Sequence, residues 1–380
     1  MAVFIYLMAV LIRTFESDLH ACAIKWAIDI KDERCRIWDV TSFPAGQNLS
    51  SRVSNLKTIN TNTLNDGDGP ERFEDFATIW NRRGGQLTHV DGLSQGDRRY
   101  AEQESKYYLS SLYLLSANNS FWVNDPTAQI VSNQKLHQLY IASSVGLNIP
   151  ETLASNTPAE VKAFLSQYGP KIVFKPFEVG MWGNPDGRRT RHISYATKIG
   201  VQDLDDDVSI QASPGIYQKA IDKKFDIRVL IAGHSYLAVK ISIPDSPSKE
   251  IDWRGDSCAI IEPCRIDEIV FSRLKNLMSR LGIVTGSVDL VEDHAGQVHF
   301  IEVNESGQFL FMEESCEDVP VTDFFASFLI SPKSDFIWNQ STQIDHRCSF
   351  SKFVSSSAYA DYKTMLASKT KISGKPILED

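Results

Sequence analysis

Acidic side chains in the middle of two apolar runs are the feature that most constrains the fold of this chain. The segment "GSVDLVEDHAGQVHFIEVN", residues 286–304, has two apolar runs around a polar tip, a pattern that predicts a β-hairpin. Asp289, Glu302 and Asn304 lie within those runs, where strands usually carry hydrophobic residues. The hairpin must therefore direct these side chains to a face of the sheet that is not packed in the core.

The predicted pairing of this hairpin, centred between Ala295 and Gly296, brings the acids together. Asp289 lies opposite Glu302, and strand alternation places both of them and Asn304 on one face. The opposite face then carries four apolar residues: Val288, Leu290, Ile301 and Val303. Because two facing carboxylates repel each other, a divalent cation would stabilise the pair, and an all-oxygen ligand set suits Mg²⁺ with bound phosphates. The alternative is a solvated sheet face that carries acids by chance.

Basic residues that could balance phosphates are dispersed, and the chain has neither a GxxxxGK[ST] loop nor a GxGxxG after a strand. Lys175 lies in the apolar run "KIVFKPF", where an unpaired ammonium is costly. Lys135 begins a predicted helix, whose first backbone amides favour anions. Arg228 lies in the apolar strand "FDIRV", where a structural salt bridge explains it equally well. The glycine-rich stretch 178–192, with Arg188, Arg189 and Arg191, is either a flap over phosphates or a solvated loop.

Composition excludes several classes of function. The 380 residues, 42% of them hydrophobic, suffice for two or three subdomains. A net charge of −9 argues against nucleic acid or an anionic membrane as a partner. Six scattered cysteines without a CxxC pair indicate free thiols in a reducing cytoplasm. The opening run "MAVFIYLMAVLI" is too short to span a bilayer and predicts a buried first strand, with Met1 or Met8 as the start.

The order of predicted elements indicates an α/β fold. Strands and helices alternate over residues 1–130, and Asn133 is expected to cap a helix that ends at Gly146. Two strands joined at residues 232–234 and the amphipathic helix "RIDEIVFSRLKNLMSRLG" precede the hairpin. The tail after Pro332 is weakly patterned and predicts a helix or a loosely packed extension.

The order and spacing of these segments resemble those of ATP-grasp ligases. Within that superfamily the chain is most similar to the peptide maturases that macrocyclise microviridin-type peptides, the graspetides. The segments that carry the resemblance, between about residues 8 and 330, are "WVNDP", "GLNIPETLASNTPAEVKAF", "DIRVLIAG", "DWRG" and "EVNESGQFLFMEE". The resemblance implies an α/β (α+β) ATP-grasp fold with an N-terminal pre-ATP-grasp domain and two subdomains that clasp ATP. The implied segments are 1–130, a central subdomain 131–213 with the glycine-rich flap, a C-terminal subdomain 214–332 with the Mg²⁺ site, and an extension 333–380.

The resemblance also implies roles for particular residues. Lys135 and Lys175 would contact the phosphates of ATP, and Asp289, Glu302 and Asn304 would hold one or two Mg²⁺ ions. The residues next to the adenine would be Gln218, Lys219, Ala220 and Ile221. Arg228 would support the γ-phosphate side, and Arg254 would lie near the transferred group. Many ATP-grasp enzymes have Glu where this chain has Lys219, so the backbone of this segment is expected to pair with adenine.

The activity that the resemblance implies is ATP-dependent ligation in the biosynthesis of a ribosomal peptide. An Asp or Glu side chain of a precursor peptide would be activated as an acyl phosphate and joined to a Ser or Thr hydroxyl or a Lys amine. Two alternatives stay open: an amide ligase for another acceptor, of the glutamate-adding or glutathione-synthetase-like type, and a nucleotide-binding regulator without ligase activity. No short motif encodes the oligomeric state, and a homodimer is one arrangement that we keep open.

Overall fold

The structure is a computed structural model, and it describes most of the chain. The described residues are 9–55, 61–65, 70–117, 119–169, 172–178, 181–182, 192–193, 196–204, 206–243 and 258–373. Within these ranges no helix is long and apolar enough to cross a membrane.

The N-terminal part is built on a parallel sheet. Its elements are β1 (Val10–Thr14), α1 (Leu19–Ile30), β2 (Cys35–Asp39), β3 (Asn48–Arg52), β4 (Thr61–Asn65), β5 (Pro70–Arg72), β6 (Thr78–Asn81), α2 (Gln95–Ser116), β7 (Phe121–Val123) and α3 (Pro126–Ser132). The parallel strands follow the order β2-β1-β6-β7, while β3, β4 and β5 form a separate antiparallel sheet. Because β1 and β6 run in the same direction, the residues at their carboxyl ends meet at one edge of the sheet.

The central part carries an antiparallel sheet. Its elements are α4 (Lys135–Ser144), β8 (Thr152–Ser155), α5 (Pro158–Tyr168), β9 (Ile172–Lys175), β10 (Met181–Trp182), β11 (His192–Ile193), β12 (Thr197–Ile199), α6 (Asp207–Ala212) and β13 (Gly215–Lys219). The strand order is β12-β9-β13-β8, and Val161 and Leu165 of α5 pack in the same core as Tyr217. The predicted cap of α4 is wrong by one residue. Gln134 precedes the helix, because Asn133 already ends α3 with its N–H bonded to that helix.

The C-terminal part is an antiparallel sheet between two layers of helices. Its elements are β14 (Lys223–Ala232), β15 (Ser235–Ser242), β16 (Ile260–Pro263), α7 (Glu268–Leu281), β17 (Thr285–Asp293), β18 (Val298–Asn304), α8 (Leu310–Ser315) and α9 (Val321–Ile330). The strand order is β16-β15-β14-β17-β18. Alternate residues of β14 face opposite ways: Val229 packs with α4 and α7, whereas Leu230 packs with α8 and α9.

Local signals explain where the elements of this part begin and end. Asp267 caps α7 by accepting bonds from the backbone amides of Ile269 and Val270, and Gly282 ends the helix in the left-handed conformation. Gly233 closes the predicted β14–β15 turn with φ of 57°. A Cβ atom there would lie 2.6 Å from the backbone nitrogen of Phe336, so the close approach of the tail also requires glycine.

The tail beyond Pro332 forms helices and packs firmly, so of the two predictions for this segment the helix is confirmed and the loosely packed extension is wrong. Its helices are α10 (Gln340–Gln343), α11 (Phe350–Val354) and α12 (Ser357–Ser373). Cys348, Phe350 and Phe353 are buried in one core with residues of α1, α8 and α9. The N-terminal, C-terminal and tail segments therefore share a core, and the domain boundaries at 130, 213 and 332 stay predictions.

Polar contacts fix this tail at buried positions. Glu313 of α8 accepts hydrogen bonds from the backbone N–H groups of Thr322 (2.9 Å) and Phe350 (3.0 Å), which begin α9 and α11. Lys31, just after α1, lies 2.5 Å from the buried carboxylate of Asp323. These contacts give the second half of "GQFLFMEE" a structural role at the junction of three helices.

Candidate active site

The hairpin β17–β18 has the predicted pairing where its acids lie. Asp289 is opposite Glu302, and Ser287 is opposite Asn304. Val288, the next residue along β17, is fully buried, while Asp289 and Glu302 are half-buried. The two carboxylates therefore occupy directly facing positions on the side of the strands away from this core.

Nearer its turn, the hairpin departs from the prediction that Ile301 faces the core. A β-bulge after Asp289 shifts the register, so that Leu290 pairs with Phe300 and Ile301 becomes the extra residue. Phe300 is fully buried with Leu290 and Val303, whereas Ile301 is half-buried. The prediction for Ile301 is wrong because the bulge reverses the alternation and lets the aromatic ring fill the core.

Arg228 joins the acid pair from the neighbouring strand. It lies directly opposite Asp289 in the β14–β17 pairing, and its Nε is 2.8 Å from Oδ1 of that residue. The Arg228 side chain is only 5% exposed, and a buried guanidinium requires an anionic partner. The structural salt bridge predicted as one explanation of Arg228 is therefore present. It places the guanidinium beside the predicted metal-binding face.

Lys135 and Lys175 approach the acids from the central part of the chain. Lys135 is the first residue of α4, and its Nζ donates a hydrogen bond to the carbonyl of Pro176 (2.8 Å), the residue after Lys175. Burial lowers the pKa of Lys175, Glu302 and Asp289 act to raise it, and Lys135 lowers it. Lys175 therefore lies within electrostatic range of Glu302, Asp289 and Lys135.

The predicted adenine-binding segment begins at the end of β13. Gln218 is buried and donates a hydrogen bond from Nε2 to Oγ1 of Thr152 (3.0 Å). Lys219 is exposed, with its Nζ 5.5 Å from the centre of the Tyr168 ring. Ala220 and Ile221 follow as the connection to β14. Since β13 pairs with β9, this segment is attached to the strand that ends at Lys175.

Part of the predicted site lies outside the described residues. Arg254, expected near the transferred group, is one such residue, as are Arg188, Arg189 and Arg191 of the glycine-rich stretch. Their predicted roles stay predictions.

Two buried amide side chains that the sequence analysis did not single out hold the hairpin in place. Gln138 of α4 bonds to both backbone groups of Val303, accepting from its N–H (2.9 Å) and donating to its carbonyl (2.8 Å). Asn124, from "WVNDP", accepts from the N–H groups of Val284 and Thr285 and donates to the Thr285 carbonyl. No local pattern marks Gln138, because α4 carries other polar residues such as His137 and Ser143.

The turn after Asn304 is fixed by contacts with the N-terminal part. Oδ1 of Asn304 accepts a hydrogen bond from the N–H of Ser306 (3.1 Å), and the carbonyl of Ser306 accepts one from the buried guanidinium of Arg82. Gly307 packs so closely that a Cβ atom would lie 2.7 Å from that of Ser287. The backbone after Asn304 is therefore held by Arg82 of the N-terminal part and by close packing against β17.

His20 fastens the chain just beyond this turn. It is buried on α1, and its Nε2 accepts hydrogen bonds from the N–H groups of Phe309 (2.9 Å) and Leu310 (3.3 Å). Burial lowers the pKa of His20 well below its ordinary value, and the nearby Arg82 lowers it further. A neutral imidazole fits this acceptor role, which makes His20 a structural residue.

Solved structures match this chain over nearly their full lengths, although no protein-family model and no curated protein sequence matches it. A RiPP-associated ATP-grasp ligase of Chryseobacterium gregarium, in complex with ADP and a leader and core peptide, has a TM-score of 0.77 at 22% identity. The match covers 87% of this chain and 99% of that one. The macrocyclase MdnC of Microcystis aeruginosa MRC, bound to the precursor peptide MdnA, has a TM-score of 0.74 at 22% identity, covering 85% and 99%.

A third match is the ATP-grasp ligase PsnB, complexed with a minimal precursor, Mg and ADP. Its TM-score is 0.68 at 20% identity, and the match covers 85% of this chain and 96% of that one. The chain therefore has the fold of ATP-grasp ligases, and the fold class predicted from the sequence is confirmed.

Proposed function

We infer that this protein is an ADP-forming carboxylate ligase that closes rings in a ribosomally made peptide. The observation that carries this inference is the facing pair Asp289 and Glu302, with Lys135, Lys175 and Arg228 around it. Facing acids beside converging cations suit a substrate that combines phosphates with a divalent metal ion. In an ATP-grasp fold, that substrate is Mg²⁺-ATP.

The chemistry of the residues fits Mg²⁺, because Asp289, Glu302 and Asn304 would supply carboxylate and amide oxygens. The described ranges contain no cluster of three His, Cys, Asp or Glu side chains, so protein side chains of these types would not complete the coordination by themselves. Water and phosphate oxygens would complete the coordination, which is the arrangement that Mg²⁺ favours. When bound, Mg²⁺ would neutralise charge on the phosphates.

The proposed reaction has two steps. A carboxylate oxygen of the peptide attacks the γ-phosphorus of ATP, the bond to ADP breaks, and an acyl phosphate forms. A hydroxyl or amine of the same peptide then attacks the acyl carbon, loses its proton, and releases phosphate as the ester or amide forms. Lys135, Lys175 and Arg228 would hold the phosphates and stabilise their charge, so the chain's own contribution is positioning and electrostatics.

The complexes seen in the similar structures favour a peptide as the substrate. MdnC is described as a macrocyclase bound to a precursor peptide, and PsnB was solved with a minimal precursor, Mg and ADP. We propose the same class of partner here, with a leader and an acidic core that contains Ser, Thr or Lys. The six free cysteines favour a reducing compartment, and we propose the cytoplasm.

Replacing Lys175 with Met is expected to weaken the binding of Mg²⁺-ADP about tenfold or more, because a charge-assisted bond to phosphate is lost. The folded-state pKa of Lys175 is lowered, so its charge costs stability at any pH below that pKa and costs none above its ordinary pKa of 10.5. At neutral pH the variant should therefore unfold no more easily than the wild type. Calorimetry measures the affinity for Mg²⁺-ADP, and Lys198→Met, on the neighbouring strand β12, is the control. Equal affinity in the two variants would contradict the assignment of Lys175 to the phosphates.

Co-expression with candidate precursor peptides tests the proposed function directly. Mass spectrometry should show the loss of one water for each ring, and the purified protein should release ADP only when the peptide is present. Condensation with free amino acids would favour the amide ligase for another acceptor. Nucleotide binding without ADP release across a broad set of acceptors would contradict ligation and favour a regulator.

A further inference from the structure

A cleft of about 500 Å³ lies beside the candidate active site, on the N-terminal part of the chain. Its walls include Arg13 and Arg83 from the carboxyl ends of β1 and β6, Tyr113 of α2 and Gln129 of α3. None of the residues predicted to bind nucleotide or metal lines it. The cleft is therefore a separate surface, formed at the edge where the parallel strands end.

The charge of this cleft is opposite to that of the whole molecule. Arg13, Arg82 and Arg83 line it against a single acid, Glu305, although the chain has a net charge of −9. Arg82 is 1% exposed, and its Nη2 has no hydrogen-bond partner in the described part of the chain. Burial lowers the pKa of Arg82 to about 10, so the guanidinium stays protonated at neutral pH. The buried carboxylate of Asp18 already faces this guanidinium, with its Oδ2 3.5 Å from Nε of Arg82. The excess positive charge that the cleft offers an anionic ligand therefore comes from Arg13 and Arg83.

Neighbouring side chains hold Arg13 in position before any ligand arrives. Its Nε donates to the hydroxyl of Tyr113 (2.7 Å) and its Nη1 to Oδ1 of Asn81 (2.8 Å). Gln129 continues the network by donating from Nε2 to the carbonyl of Asn81 (2.9 Å). An arginine fixed in this way loses little side-chain entropy when it binds a planar anion, and carboxylates fit its donors in pairs.

Two further features connect the cleft with a peptide and with the reaction. Leu114 and Ile130 line the cleft and are 62% and 69% exposed, so apolar surface is available to the parts of a ligand beyond its charged group. Glu305 and Ser306 also line it, and they directly follow Asn304 in the chain. A free phosphate would not use the apolar surface, whereas a side chain of a peptide would.

We propose that this cleft binds an acidic side chain of the peptide substrate, with Arg13, Arg82 and Arg83 as the residues that recognise its carboxylate. This inference rests on the proposed function, because it assigns the substrate class of that same reaction. Arg13 and Arg83 are both half-buried and form the accessible part of the site. Arg82 lies beneath, where it also bonds to the carbonyl of Ser306 and thus links the cleft to the turn after Asn304.

The test is fluorescence anisotropy of a labelled oligoglutamate peptide and of its oligoglutamine twin with the full-length protein. The wild type should bind the glutamate peptide at least tenfold more tightly than the glutamine peptide. Arg83→Gln should weaken the binding about tenfold, and Arg83→Lys should weaken it less. Arg265→Gln, which removes an equal charge from an exposed position outside the cleft, should have no effect. Inorganic phosphate at equal concentration should compete weakly.

The outcomes separate this inference from the proposed function. Three results would overturn the carboxylate assignment. The two peptides could bind equally, or Arg83→Gln and Arg265→Gln could weaken binding equally. Phosphate could also compete as strongly as glutarate, a free dicarboxylate tested at the same concentration. In the ligase assay, Arg83→Gln should raise the KM for the peptide while affinity for Mg²⁺-ADP stays unchanged. If the wild type is active and Arg83→Gln leaves the KM for the peptide unchanged, the assignment of the cleft is refuted and the ligase function is not. Peptide binding that depends on Arg83, without ring formation on any peptide, refutes the ligase function alone.

Discussion

Glu302→Gln is expected to lower peptide-dependent ADP formation roughly a thousandfold, which corresponds to about 4 kcal/mol in the activation free energy. The change keeps the shape of the side chain and removes the charge that faces Asp289 across the hairpin. Glu302 is the better residue to replace, because Asp289 also neutralises the buried Arg228 and its loss would disturb folding. ADP release with the cognate peptide, measured over a range of Mg²⁺ concentrations, gives the effect.

The control for this variant is Glu262→Gln, which changes the same charge on an exposed acid of β16 in the same sheet. Its activity should equal that of the wild type. High Mg²⁺ should restore part of the activity of Glu302→Gln, since a lost ligand weakens metal affinity. A variant with wild-type activity at limiting Mg²⁺ would remove Glu302 from the proposed metal site.

Glu313→Ala is expected to lower the free energy of unfolding by about 3 kcal/mol, because two buried backbone N–H groups lose their acceptor. Glu313→Gln should cost less, since an amide oxygen can still accept one of the two bonds. Glu314→Ala, at the exposed neighbouring position, should cost almost nothing. Chemical denaturation monitored by circular dichroism ranks the variants. Equal stability of Glu313→Ala and Glu314→Ala would contradict the role of Glu313 at the helix junction.

The stability of the wild type should also depend on pH through Glu313. Burial raises the pKa of this carboxyl, so the folded state holds its proton more tightly than the unfolded state does. The unfavourable effect of ionising Glu313 on the free energy of unfolding is absent below the ordinary pKa of 4.5. It is complete above the folded-state pKa. Stability from this group therefore falls as pH rises through that window. In Glu313→Gln the component should disappear, which denaturation at several pH values can measure.

The sequence predicted the parts of the site that depend on local periodicity. The pairing of Asp289 with Glu302 follows from strand alternation and from the position of the polar tip, and both are visible in the sequence. The bulge at Ile301 does not follow from them, because it depends on how well Phe300 fills the core beneath the sheet. Whether Phe300 or Ile301 faces the core depends on packing across the whole domain, and the local sequence pattern does not decide it.

Long-range polar contacts were the other part that the sequence could not predict. Gln138 and Asn124 bond to backbone groups more than a hundred positions away, and the ordinary pattern of a helix or turn contains no sign of such a partner. For a related reason the sequence left open whether the tail forms a helix or a loosely packed extension. Phe350 and Phe353 form a short apolar pair whose burial depends on α1 and α9, which are distant in sequence.

The attachment of the hairpin has a consequence for how such a protein could diverge. Gln138 and Asn124 hold the backbone of β17 and β18, and neither residue takes part in the acid pair on the outer face. Glu302 and Asn304 could therefore be exchanged without losing the register of the strands, whereas Asp289 is also needed to neutralise the buried Arg228. The contacts that hold the strands are thus separate from the proposed metal ligands Glu302 and Asn304, so a relative with an intact hairpin need not have kept the same ligands.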